Sequence, residues 1–193
     1  MAVGEDSLVA LRAVPGVRLG TVSAGIKTPG RKDLVLVEVA ADTQCAAVFT
    51  RNAFCAAPVT LAREKLQASA HQPRYLLINT GNANAGTGTS GVAAAQACTA
   101  AVAAIAGVDA DRVLPFSTGV IGEPLPVSRI EQAVPAAFDA LADDGWLAAA
   151  EGILTTDTRP KAHSVSFTCE GRDYVVTGIA KGAGMIRPNM ATM

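Results

Sequence analysis

A chain of 193 residues that is 50% apolar and only 17% charged can bury a full core, which excludes a disordered chain and fits one large domain or two small ones. Its formal net charge of -1, with acids and bases interspersed, excludes a nucleic-acid stripe and a polybasic membrane anchor. Alanine and valine dominate the apolar half and aromatics make up 4%, which favours close-packed helices and strands over an aromatic binding cleft.

Residues 1–11 carry Glu5 and Asp6 and lack a basic n-region, so no signal peptide is read. Val14 to Gly20 reads as a turn entering an extended segment, and Gly25 to Asp33 as a basic loop punctuated by glycine and proline. Leu34 to Val39 is a β-rich run. Ala46 to Thr50 is expected as its hairpin partner, and Ala57 to Leu61 as a further strand. Leu61 to Ala70 has helical character before Pro73. Arg74 to Asn79 then reads as a buried strand entering a polar glycine-asparagine loop, Thr80 to Gly91.

Val92 to Ala106 is an alanine-rich helix closed by Gly107, and Gln96, Cys98 and Thr99 make it too weakly apolar for a bilayer span. Val113 to Phe116 is a second apolar run, ending in a small-residue loop, Ser117 to Gly122. Ser128-Arg-Ile-Glu131 has capping-box spacing, and Ile130, Val134 and Phe138 share one face of the helix it opens. Pro135 is expected to kink or divide that helix. Asp144 is placed as the cap of a helix over Trp146 to Ile153. Ser164 to Cys169 and Tyr174 to Ile179 form the clearest hairpin, turned by Glu170-Gly171. Together these elements predict an α/β fold with mixed sheets and packed helices.

Cys45, Cys55, Cys98 and Cys169 are widely spaced, and His71 and His163 lie far from them in sequence. No metal site is therefore expected, and the thiols read as reduced ones in a cytoplasmic protein. Gly86-Thr-Gly-Thr-Ser-Gly91 matches a dinucleotide-binding fingerprint before a helix, with Asp109 and Asp111 about twenty residues on. Its first glycine, however, lies seven positions past Asn79, the expected strand end, whereas the fingerprint places it at the tight turn. Ser117-Thr-Gly119 is either a plain turn or a source of hydroxyl and N–H donors aimed at one oxygen. Thr155-Thr-Asp-Thr158 either binds a polar substrate or satisfies its own backbone. Lys181, between Ala180 and Gly182, is either a solvated lysine or a carboxylate-binding one. Thr192 is a poor nucleophile within a chain. Freed as an N-terminus it carries its own base, an α-amine of pKa near ~8, and it is placed to attack the Ala191 carbonyl by an N→O acyl shift.

Five ordered motifs then carry a resemblance that covers essentially the whole chain. They are Val48-Phe-Thr-Arg-Asn52, Asn79-Thr-Gly-Asn-Ala-Asn84, Ser117-Thr-Gly-Val-Ile-Gly122, Thr155-Thr-Asp-Thr-Arg-Pro160, and Lys181-Gly-Ala-Gly-Met185 with Asn189-Met-Ala-Thr192. The chain resembles the α portion of the glutamate N-acetyltransferase/ornithine acetyltransferase family of arginine biosynthesis. The resemblance implies a fold distantly like that of N-terminal-nucleophile hydrolases. It implies self-cleavage at Ala191-Thr192, so that residues 1–191 are the α chain, one α/β domain, and residues 192–193 begin the β chain. It further implies an α2β2 heterotetramer, and acetyl transfer from N-acetylornithine to glutamate through an acetyl-threonine on Thr192. Thr118 and Gly119 match the oxyanion-hole positions, and Thr155, Lys181 and Thr192 the substrate-binding ones. No bound cofactor is implied; acetyl-CoA enters as a co-substrate only if the enzyme also starts the pathway. Three alternatives stay open beside it, a threonine amidohydrolase or aminopeptidase using the same cleavage, a dinucleotide-binding module, and a non-catalytic α chain that only scaffolds its partner. Departures from the family pattern are the end at Met193, which leaves out the β chain and its substrate residues, and Gly86, where relatives often carry cysteine.

Overall fold

The computed structural model describes residues 10–183. The expected cleavage point, Ala191-Thr192, lies outside the described residues, as does most of the segment read for a signal peptide. Two strands open the fold, β1 (Val17–Val22) and β2 (Leu34–Val39). After helix α1 (Ala57–Ala68) come β3 (Tyr75–Asn82), helix α2 (Gly88–Ala106), a 3-10 turn (Ala110–Arg112) and β4 (Val113–Val120). Helices α3 (Val127–Asp139) and α4 (Trp146–Gly152) precede a hairpin of β5 (Lys161–Cys169) and β6 (Arg172–Ala180). The larger sheet has the order β1-β2-β3-β4; its first two pairings are antiparallel, and β3 and β4 run parallel across the α2 crossover.

β2 lies inside this sheet, which explains its run of consecutive apolar residues. Leu34, Leu36, Tyr75 and Leu77 face one way, against Cys98 and Val102 of α2 and Ile130, Val134 and Ala137 of α3. Val35, Val37, Val39 and Leu19 face the other way, against Trp146 and Ala149 of α4 and the adjoining Ile153. Covering both faces is what removes the polar alternation that a half-exposed strand would show. Burying each of the valine, leucine and isoleucine side chains among them fully stabilises the fold by roughly 1.5–3 kcal/mol before entropy is counted. The helices approach closely because glycines let them. A Cβ on Gly20 would stand 2.1 Å from Ala137 O in α3, and one on Gly152 would stand 2.6 Å from Val35 Cγ2.

Contrary to the sequence expectation of too weak an apolar character, α2 is long and apolar enough, by length and composition alone, to cross a bilayer, because it starts at Gly88 and runs 19 residues, with a mean hydropathy of 1.4 over its best window. Its Ala95, Cys98, Thr99, Val102 and Ala103 are instead buried within the protein. Gly107 closes it in the left-handed region (φ 65°), as the sequence predicts. The hairpin also matches expectation, with Glu170 (φ 51°) and Gly171 (φ 74°) forming a two-residue turn between β5 and β6.

Other expectations need correction. Ala46 to Thr50 is not a strand, because β1 and β3 already occupy both edges of β2. Ala57 to Leu61 is the first part of α1. Pro58 sits in the opening turn, where its missing N–H costs nothing, although Val59-Thr60 reads locally as strand. The loops expected after Asn79 and Phe116 begin later, since β3 continues to Asn82 and β4 to Val120 by pairing with each other. Ser128 and Asp144 do not cap their helices; Pro126 and Gly145 hold those positions without side-chain bonds. Pro135 leaves α3 continuous from Val127 to Asp139. It lies on the exposed side, where water can satisfy the carbonyl its ring leaves unbonded.

Candidate active site

The C-terminal ends of parallel strands are where ligands bind in α/β sheets. Here β3 and β4 end side by side in runs of small polar residues, with Asn79↔Ser117, Thr80↔Thr118 and Gly81↔Gly119 in register. Ser117 donates to Asn79 Oδ1 (2.6 Å), and Asn79 Nδ2 donates onward to Asn82 O (2.8 Å). Gly119 has φ +141°, and a Cβ there would lie 2.3 Å from Gly81 C and 2.5 Å from Asn82 N. Only glycine fits. The strand ends therefore meet main chain to main chain.

Three segments distant in sequence converge on this point. Lys181, at the exit of β6, donates from Nζ to Thr118 Oγ1 (2.7 Å) at the end of β4 and to Thr155 Oγ1 (3.1 Å) after α4. Thr118, Thr155 and Lys181 are thus brought together, with Gly119 adjoining Thr118. Burial pushes the Lys181 amine below its ordinary value; the Asp157 charge opposes that shift, and Lys161 adds to it. Asp157, whose side chain is 1% exposed, accepts from Lys161 Nζ and from Gly182 N, both at 2.6 Å. Burial pushes its carboxyl up, but those bonds and a weaker one from Thr155 N outweigh it, so its pKa lies below the ordinary carboxylate value.

The basic loop before β2 closes another side. Asp33 is buried and accepts from Ala24 N and Ile26 N at 2.6 Å each, folding residues 24–33 back toward the sheet. Arg31 then reaches Leu154 O (2.6 Å) and Thr155 O (3.3 Å), while Lys32 pairs with Glu151 of α4 at 3.2 Å. Lys27, Thr28, Arg31, Asp33, Thr80 and Gly81 line a small cavity of about 30 Å³, room for one water. A larger hollow of about 450 Å³, lined by Ser69, Gln72, Asp109 and Arg112 among others, contains none of Thr118, Gly119, Thr155 and Lys181. Sequence reasoning did not single out Arg31 or Lys161, and Asn79 entered it only as part of a motif, without a role. The Asp157–Lys161 spacing of four was a local signal; Arg31 left none.

The glycine fingerprint is arranged differently from a nucleotide loop. Because β3 runs to Asn82, Gly86 stands only four positions beyond the strand, closer than the sequence suggested. The loop's polar groups are nonetheless used internally. Buried Asn84 donates to Gly91 O (2.8 Å) and accepts from Thr87 Oγ1 (2.9 Å), so its amide fills the concavity.

The mixed α/β fold that brings these strand ends, the lysine and the threonine-rich loop together is shared with solved ornithine acetyltransferase-type chains. The ornithine acetyltransferase of Mycobacterium tuberculosis, crystallised with ornithine, superposes with a TM-score of 0.86 at 36% identity, covering 94% of this chain and 96% of that one. The arginine biosynthesis bifunctional protein ArgJ of Bacillus halodurans gives 0.82 at 35% identity, over 92% of each chain. The ArgJ family model matches residues 18–193, and the chain belongs to that family. It is 61% identical over 193 residues to the arginine biosynthesis bifunctional protein ArgJ of Pseudomonas syringae pv. tomato, and 60% identical over 185 residues to that of Methylococcus capsulatus. Those alignments take in 100% and 96% of this chain but 47% and 45% of the relatives, so the chain spans about half the length of the curated relatives it matches.

Proposed function

We propose that the full-length protein is an acetyltransferase that moves the acetyl group of N-acetylornithine to glutamate through an acetyl-threonine on Thr192. One observation carries the reading: the Lys181 ammonium touches both Thr118 and Thr155, joining three of the family's motifs in one place. A hydroxyl that accepts from Lys181 still has its own proton to donate. The Thr118 O–H and the Gly119 N–H are therefore the donors proposed for the oxyanion. An ammonium has three protons; Thr118 and Thr155 take two, and the third is assigned to a substrate oxygen. Arg31 and Lys161 keep the surroundings cationic, which suits substrates bearing carboxylates.

In this scheme the chain first divides at Ala191-Thr192, leaving residues 1–191 as an α chain forming one domain. Thr192 begins a β chain, and the two assemble as an α2β2 heterotetramer. The contrast in coverage supports that division, since the solved chains are matched over 92–96% of their length and the curated relatives over less than half. The Thr192 hydroxyl attacks the acetyl carbonyl while its α-amine takes the proton. The tetrahedral intermediate collapses, ornithine leaves with that proton, and an ester remains on Thr192. The glutamate amine then attacks the ester, releasing N-acetylglutamate and restoring the hydroxyl. No resident cofactor enters these steps, and a cytoplasmic location is part of the same reading. Acetylation of glutamate from acetyl-CoA would use the same acyl-enzyme.

The test is to incubate the full-length protein with N-acetylornithine and glutamate. N-acetylglutamate and ornithine are expected in equal amounts; free acetate without N-acetylglutamate would favour the amidohydrolase. Thr192→Ala should abolish both the transfer and cleavage after Ala191, read by intact mass, and cleavage that persists overturns the nucleophile.

A further inference from the structure

Asp157 is the most heavily used buried acid around the candidate site, and it touches neither Thr118 nor the Lys181 ammonium by a hydrogen bond. Its partners are instead the main chain on both sides of the Lys181–Thr155 contact. Oδ1 accepts from the N–H of Gly182, the residue after Lys181, at 2.6 Å, and Oδ2 lies 3.5 Å from the N–H of Thr155. Lys161 at the start of β5 binds the same Oδ1 at 2.6 Å. Gly182 has φ +139°, a conformation that side chains rarely adopt, so the chain leaves β6 through a turn whose amide is held by this carboxylate.

We infer that Asp157 is the positioning residue of the site, fixing the Thr155 and Gly182 main chain so that Lys181 Nζ stays bonded to both Thr118 and Thr155. The inference rests on the reading above, in which those three residues bind substrate. A buried carboxylate that accepts main-chain N–H groups from two segments resists their separation, because leaving it unpaired would strand a charge away from water. The same charge sets the state of the lysine. Among the described residues, the charged groups facing Lys181 are Asp157, Lys161 and, across Thr155, Arg31; Glu151 on α4 is paired with Lys32. Asp157 is thus the acid whose charge raises the pKa of the half-buried amine against the lowering by burial and Lys161.

The experiment is a set of steady-state kinetic pH profiles on the full-length protein with N-acetylornithine and glutamate, comparing wild type, Asp157→Asn, Lys161→Met, Lys181→Ala and the Asp157→Asn/Lys181→Ala double variant. Asp157→Asn should lower kcat/KM about tenfold, chiefly through KM, and move the alkaline limb down by about half a pH unit or more. Lys161→Met leaves the carboxylate in place and should move that limb upward. In the Lys181→Ala background, Asp157→Asn should add less than about twofold, because the two act as one unit. Full additivity of the two losses, with the alkaline limb unmoved, makes Asp157 a structural acid only and overturns the inference while leaving the site intact. Lys181→Ala with unchanged kinetics overturns the site reading itself. Should Asp157→Asn fail to fold, the limb shift in Lys161→Met decides: a limb that does not move upward overturns the inference.

Discussion

The four-stranded sheet and the β5–β6 hairpin use strands of similar length but are held in opposite ways. In β2, Leu34 to Val37 are buried on both faces beneath three helices. In the hairpin, the cross-strand pairs Val165–Val176 and Phe167–Tyr174 are exposed, with the two rings stacked at 5.3 Å. The hairpin is fastened at its base. Ser164 and Thr177 bond each other and the main chain of Arg12, Ile179 packs on the α4 cluster, and Asp157, Lys161 and Lys181 tie the strand ends to the site. Stability and site geometry therefore reside in different interactions. Apolar packing is indifferent to the charge state of its surroundings; a polar base is not.

That contrast can be broken from either side. Leu36→Ala removes a side chain buried from both solvent and movement, and should destabilise by about 2–5 kcal/mol in urea unfolding. An unchanged midpoint would deny the sheet its place as the core. Gly20→Ala should cost about 1–3 kcal/mol, because α3 must retreat from a Cβ otherwise 2.1 Å from Ala137 O. Acid should act first on the hairpin base. The folded pKa of Asp157 is lowered, so its contribution is complete above the unfolded carboxyl value near ~3.9 and is lost as pH falls through the folded value. Hydrogen exchange should then show the Gly182 amide losing protection before the amides of β2; simultaneous loss would mean that the two regions open as one. Phe167→Ala should have the smallest effect, about 0.5–1 kcal/mol, through the lost Tyr174 stack. A loss as large as that of Leu36→Ala would show that the hairpin face is covered in the assembled protein.

The body and the hairpin were legible in the sequence for different reasons. The β-rich run Leu34 to Val39 marked β2 as a strand, although its cover on both faces shows only in the fold, and Glu170-Gly171 between alternating runs marked the hairpin. The failures came where tertiary pairing overrides local preference. Ser117-Thr-Gly119 has little strand propensity and becomes strand because β3 supplies its hydrogen bonds. Val59-Thr60 favours strand and becomes helix because Pro58 opens one. Of the site, Thr118, Thr155 and Lys181 were candidates by residue type and took their roles from the motif resemblance, neither of which carried information about their contact. Lys181 reaches across 63 residues to Thr118, and Arg31 across 123 to Leu154 O, distances over which no periodicity or turn signal operates. The expected nucleophile, Thr192, lies outside the described residues.

The meeting of Gly81 and Gly119 has a consequence for how such a site can diversify. Where a Cβ on Gly119 would stand 2.3 Å from the neighbouring strand, that part of the floor is peptide plane against peptide plane. No side chain can be introduced there, so the Gly119 N–H is fixed with the fold, whereas the Thr118 hydroxyl beside it depends on its side chain. The surfaces that can vary around it are the walls: the basic loop of residues 24–33, the threonine-rich turn and the exit of β6. The last two are tied to each other through Lys181 and Asp157, so they must vary jointly, whereas the basic loop meets them mainly through Arg31.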